Sequence, residues 1–119
     1  MTHIDTAAFQ GCKYLKELHL PASVTYIGEF AFSYCPSLKN ISIPNSVTTI
    51  GDDAFYYCSS LTSITIPNSV TTIGIGAFRG CSSLTSINVS EGNPSFVSKD
   101  GILYTKDMKT LLCYPAGKK

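Results

Sequence analysis

The chain has 119 residues, of which 44% are apolar and 14% charged, with a formal charge of +1. That length suits one domain whose core suffices to fold it without metal or disulfide staples, and the near-neutral balance excludes a general attraction to nucleic acid or to an anionic membrane. No apolar run reaches the roughly 18 residues of a membrane span, and Met1-Thr-His-Ile-Asp lacks the apolar core of a secretory leader, so the sequence reads as a soluble chain with no membrane insertion.

Residue types return at a step of 23: Phe9, Phe32, Phe55 and Phe78; Cys12, Cys35, Cys58 and Cys81; Leu15, Leu38, Leu61 and Leu84; Pro21, Pro44 and Pro67. A fixed period of this length marks a solenoid, in which each unit buries its apolar face only against its neighbours. The expectation is four parallel coils over residues 4–26, 27–49, 50–72 and 73–95. Coil 1 begins mid-repeat, which suggests a piece of a longer array with an N-terminal edge that is frayed, covered by another molecule, or open to self-association.

Three patterns recur within each coil. Ala-Phe-x-x-Cys comes first (Ala8-Phe9 to Cys12, and equivalents); its spacing predicts one turn of helix with a single buried face, and Asp52 and Asp53 are candidate N-caps in coil 3. Leu-x-x-Ile-x-Ile follows, ending in the alternation of a half-buried strand that the next proline stops by lacking an amide. Ser-Val-x-x-Ile-Gly then returns the chain to the start, with Gly28, Gly51 and Gly74 at the corner.

Parallel stacking of the strand segments turns Ile and Leu inward and leaves Glu17, His19, Asn40, Ser42, Ser63, Thr65, Ser86 and Asn88 facing out. This polar strip, roughly 15–20 Å long at one strand spacing per coil, is one candidate partner-binding surface. A second is aromatic: Tyr34 and Tyr57 occupy equivalent places and are expected to stack, with Tyr56 and Phe30 nearby.

Four of the five cysteines share one repeat position, unlike the irregular spacings of a disulfide framework. Equivalent residues ~4.8 Å apart come near the range a disulfide tolerates, but a column of buried thiols is the favoured reading. No zinc spacing such as C-x2-C occurs.

In coil 4 the pattern decays. The proline place becomes Ser90, and Glu91-Gly-Asn-Pro94 reads as a loop. From Phe96 the period is lost; apolar runs at Ile102–Tyr104 and Leu111–Tyr114, with Asp100-Gly101 as a tight turn, predict an antiparallel hairpin cap over residues 96–119. Such a cover hides core and strand edge that a bare last coil would expose. The cap holds five Lys against two Asp, whereas residues 1–95 are net acidic; solvated lysines that keep an edge soluble explain this, and steering of an acidic partner is the alternative.

Leu-x-x-Ile-x-Ile-Pro-x-Ser-Val-x-x-Ile-Gly-x-x-Ala-Phe-x-x-Cys resembles the BspA-type leucine-rich repeat of bacterial surface proteins, over residues 4 to about 95. The tail resembles a recurrent element of the same family, Asn-Pro-x-Phe-x-Ser-x-Asp-Gly-Ile-Leu-Tyr. Where a general leucine-rich repeat carries Asn or Cys after the strand, this chain carries Ser23, Ser46 and Ser69, whose hydroxyls are expected to bond backbone of a neighbouring coil. The resemblance implies a leucine-rich-repeat solenoid, mostly β with short helical turns, and a cell-surface or secreted protein. It implies adhesion to an extracellular-matrix, plasma or cell-surface protein. A structural spacer presenting another domain and an intracellular interaction module are the alternatives, and five unpaired cysteines sit easily with the latter.

The residues themselves suggest no catalysis. His3 and His19 are the only histidines; one lies in the N-terminal tail, the other on the strand surface away from the cysteine corner. Gly28, Gly51 and Gly74 recur at the 23-residue step as corners, and no glycine-rich phosphate loop occurs. The chain is expected to be no enzyme and to bind no cofactor or metal.

Overall fold

The structure, a computed structural model, describes residues 2–117. Strands are short because each apolar alternation is soon interrupted by Pro, Asn or Gly. In chain order they are β1 (His3–Ile4), β2 (Glu17–His19), β3 (Tyr26–Ile27), β4 (Asn40–Ser42), β5 (Thr49–Ile50), β6 (Ser63–Ile66), β7 (Thr72–Ile73) and β8 (Ser86–Val89) in the coils, then β9 (Phe96–Lys99), β10 (Ile102–Thr105) and β11 (Leu111–Cys113) in the cap.

The coils stack in the register of the repeat. β1, β3, β5 and β7 form one four-stranded parallel sheet, with His3 opposite Tyr26, Tyr26 opposite Thr49 and Thr49 opposite Thr72. This sheet is built from the segments around Ile4, Ile27, Ile50 and Ile73, which read in sequence only as a return corner. The Leu-x-x-Ile-x-Ile strands pair in parallel as expected, but in two separate ladders, β2 with β4 and β6 with β8, instead of one sheet through all four coils.

The expected helical turns are absent: the Ala-Phe-x-x-Cys segments are successive β-turns, and no helix occurs among the described residues. The reason is where the amides go. In coil 1, Ala8, Gln10 and Cys12 donate three residues back within the coil, to Asp5, Ala7 and Phe9, while the intervening Ala7, Phe9 and Gly11 donate to Glu29, Ala31 and Ser33 of coil 2 at 2.8–2.9 Å. A helix would spend every amide within itself and leave nothing to join the coils. The alternation needs a left-handed residue at two places per coil: Ala7, Phe30, Asp53 and Gly76 at one, Gly11, Tyr34, Tyr57 and Gly80 at the other. Asp52 and Asp53 accordingly cap nothing. The Asp52 carboxylate accepts from the Ile75 amide of coil 4 at 2.8 Å, and Asp53 is itself one of the left-handed residues.

Stacking repeats each core side chain as a column. Phe9, Phe32, Phe55 and Phe78 lie face to face, with centroids 5.2, 5.4 and 5.6 Å apart and planes within 7° of parallel. Gly51 is required beside them because a Cβ there would stand 2.7 Å from the backbone of Gly28 and Glu29 in coil 2. All five cysteines are free. The thiols of Cys35, Cys58 and Cys81 donate to the carbonyls of Phe9, Phe32 and Phe55 in the preceding coil at 3.2, 3.0 and 3.0 Å. A buried thiol thus serves here as a small apolar group that satisfies one carbonyl. The Ser46 hydroxyl behaves as expected, donating to Val24 O of coil 1 at 2.6 Å, whereas the buried Ser69 hydroxyl has no hydrogen-bond partner among the described residues.

The cap is a three-stranded antiparallel sheet, ordered β11-β10-β9. Asp100 and Gly101, both with positive φ, close the β9–β10 hairpin between Lys99 and Ile102, the conformation that Asp-Gly favours in two-residue hairpins. Phe96 and Leu103 are buried against the core. The Ile87 amide of β8 donates to Gly101 O at 2.8 Å and the Val89 amide to Ser98 Oγ at 3.0 Å, so the cap takes over hydrogen bonds of the last strand. Asn93 stands where coils 1 to 3 have Val24, Val47 and Val70. It is fully buried: its Nδ2 donates to Pro67 O and Val70 O, and its Oδ1 accepts from the amides of Ser95 and Phe96.

Candidate binding surface on the strand face

Alternation along β2, β4, β6 and β8 decides what this face offers. Ile64 and Ile87 are buried and Leu18 and Ile41 half-buried, while Glu17, His19, Asn40, Ser42, Ser63, Thr65 and Asn88 are exposed. Ser86 is half-buried, because Gly101 of the cap packs over it. Neighbouring coils bring strip residues together: His19 Nδ1 lies 3.1 Å from Ser42 Oγ, its partner in register.

The break between the two ladders opens a cleft of about 390 Å³ in this face. Ser42, Asn45, Thr65, Asn68 and Ser90 supply its polar groups, and Ile41, Ile43 and Pro67 its apolar wall. Asn45 also accepts from the Ser69 amide at 3.2 Å through its Oδ1. The alternation rule missed Asn45, Asn68 and Ser90, since they follow the strands. Their positions are the signal that groups them, Asn45 and Asn68 just after the proline place and Ser90 in it.

The aromatic surface is a ridge. Tyr34 and Tyr57 stack at 5.4 Å with planes 8° apart, and Tyr56 meets both edge-on at 5.4 and 4.5 Å. Phe30 makes no ring contact with them among the described residues and is half-buried. Tyr34 and Tyr57 remain about half exposed in this stack. His3, read as a tail residue, belongs to β1 and packs its ring 5.6 Å from Tyr26.

Among the described residues no group of three or more His, Cys, Asp or Glu could hold a metal ion. Contact within the thiol column acts in opposite directions, drawing Cys35 down to about 7 and pushing Cys58 up. Burial raises Cys12 and Cys113. Access decides reactivity here, and Cys35, Cys58 and Cys81 have none.

Parallel coils of one length, stacked aromatic and thiol columns and a β cover define a leucine-rich-repeat solenoid. The chain belongs to the BspA-type leucine-rich repeat family, whose profile matches residues 1–101 in six copies. No curated protein matches. Among solved structures, the pneumococcal vaccine antigen PcpA is 41% identical with a TM-score of 0.94, the match covering 99% of this chain and 29% of that one. A leucine-rich cell surface protein of Faecalibacterium prausnitzii is 37% identical with a TM-score of 0.82, over 93% of this chain and 29% of that one. A leucine-rich repeat protein of Eubacterium ventriosum is 31% identical with a TM-score of 0.76, over 99% of this chain and 37% of that one. The chain thus spans between 29% and 37% of these three structures.

Proposed function

We propose that the chain is a non-catalytic recognition module of a bacterial surface or secreted protein, and that it holds an extracellular protein against its strand face. The observation that carries this reading is the row of outward polar side chains on a rigid parallel backbone, interrupted by the cleft between Ser42 and Thr65. A concave polar site among ordered side chains orients a partner without ordering cost on the module's side. Similarity to a leucine-rich cell surface protein supports the location. The tyrosine ridge supports a second contact zone, because Tyr34 and Tyr57 keep a left-handed backbone that bulky residues adopt at a cost while staying about half exposed.

The test is binding of the purified chain to a panel of extracellular-matrix and plasma proteins, beside a Ser42→Arg/Thr65→Arg variant. Binding that the variant loses supports the strip. Binding that it retains, but that Tyr34→Ala/Tyr57→Ala loses, moves recognition to the ridge, and no binding by any of them favours a spacer.

A further inference from the structure

The stack ends unevenly. In each inner coil three turn amides point at the next coil: Phe30, Phe32 and Tyr34 donate to Asp52, Ala54 and Tyr56, and Asp53, Phe55 and Tyr57 donate to Ile75, Ala77 and Arg79. The equivalent amides of coil 4, on Gly76, Phe78 and Gly80, have no acceptor among the described residues. Thr48 O and Ile50 O accept from Thr71 and Gly74, but their counterparts Thr71 O and Ile73 O have no donor among the described residues. The cap does not reach this half of the coil, because it sits on β8 and spends Gly101 O there. A groove of about 510 Å³ is left between Ile73, Ile75 and Phe78 on one side and Leu103, Leu112 and Tyr114 on the other. Ile75, Leu112 and Tyr114 are 78, 43 and 50% exposed.

We infer that this groove is a docking site for a short segment of another polypeptide with the pattern Thr-Ile-Gly followed by the turn residues of the repeat, added as half a coil. The chemistry of the occupant follows from what it would meet. Backbone acceptors must face Gly76, Phe78 and Gly80, and backbone donors must face Thr71 and Ile73, which is the hydrogen-bonding order of this repeat. A β-branched side chain continues the Ile50–Ile73 column and packs in the groove beside Ile75 and Leu112, whereas Ala77 and Phe78 are already buried and take no further cover. A complete coil, such as coil 1 of a second copy, does not fit, because the cap occupies the strand half. The site is separate from the strand face, and main-chain pairing supplies its affinity as in other strand additions.

The probe is a fluorescein-labelled peptide with the sequence of residues 48–57, titrated with the full chain by anisotropy. Saturable binding is expected. It should weaken about tenfold or more in Ile75→Glu/Leu112→Glu, two exposed positions whose exchange leaves the circular dichroism unchanged. It should weaken likewise when the peptide's glycine nitrogen is methylated, which removes the donor to Ile73 O. Equal binding of a scrambled peptide, indifference to N-methylation, or no binding would overturn the inference. A dimer in sedimentation that Ile75→Glu dissolves would also overturn it, by giving the groove to a second copy.

Discussion

Replacing Phe55 by Ala tests the column on which the coils are built. Its ring is fully buried and lies between Phe32 at 5.4 Å and Phe78 at 5.6 Å, so the substitution leaves a void that touches two inter-coil interfaces. Truncating a buried phenylalanine costs about 3–5 kcal/mol. Phe9 provides the internal comparison: it is half-buried, has a ring neighbour only in Phe32, and should cost roughly 1.5–2.5 kcal/mol, half of that range. In a solenoid, stability is a sum of unit and nearest-neighbour terms. Phe55→Ala should therefore also weaken the coupling of coils 1 and 2 to coil 4 and the cap, and broaden the transition. Urea unfolding followed by circular dichroism measures both. A loss below about 1 kcal/mol for Phe55→Ala, or an equal loss for Phe9→Ala, would refute the reasoning.

Asn93→Val restores the residue of the other coils yet should destabilise by about 2–4 kcal/mol, because the buried Phe96 amide and the part-buried Ser95 amide lose their acceptor; an unchanged urea midpoint would contradict this. In the native state Cys35, Cys58 and Cys81 should stay unlabelled by a thiol reagent while Cys12 and Cys113 react slowly, and all five should react in denaturant; mass spectrometry of the labelled peptides distinguishes the two patterns. Asp107 is held below the usual carboxylate range by the Thr105 hydroxyl and then by the Lys109 amide. Its contribution is present above the unfolded value of about 4 and is lost as pH falls through the lowered folded value. An NMR titration should show that lowered midpoint, and Thr105→Val should move it up.

The period located every buried column, because one Phe, one Cys and one Leu per unit can only stack. Strand direction and the outward row from Glu17 to Asn88 followed from alternation alone. The helical turn was misread because Ala-Phe-x-x-Cys places the same residues on one buried side in a turn of helix and in two linked β-turns. The distinguishing signal was present in other positions: Gly11 and Gly80 share a place with Tyr34 and Tyr57, and Gly76 shares one with Asp53, which marks left-handed backbone that no helix contains. The break between β4 and β6, and with it the cleft, had no such signal, since Ile41 and Ile64 look alike in sequence and differ only in how deeply they pack.

The cysteine column has a consequence for the conditions under which the fold assembles. The thiols of Cys35, Cys58 and Cys81 are each satisfied by a phenylalanine carbonyl of the previous coil, so the native state requires no bond that an oxidant must make and leaves only Cys12 and Cys113 partly within an oxidant's reach. The fold of this column is therefore set by packing and by these thiol–carbonyl contacts, and not by the redox potential of its surroundings.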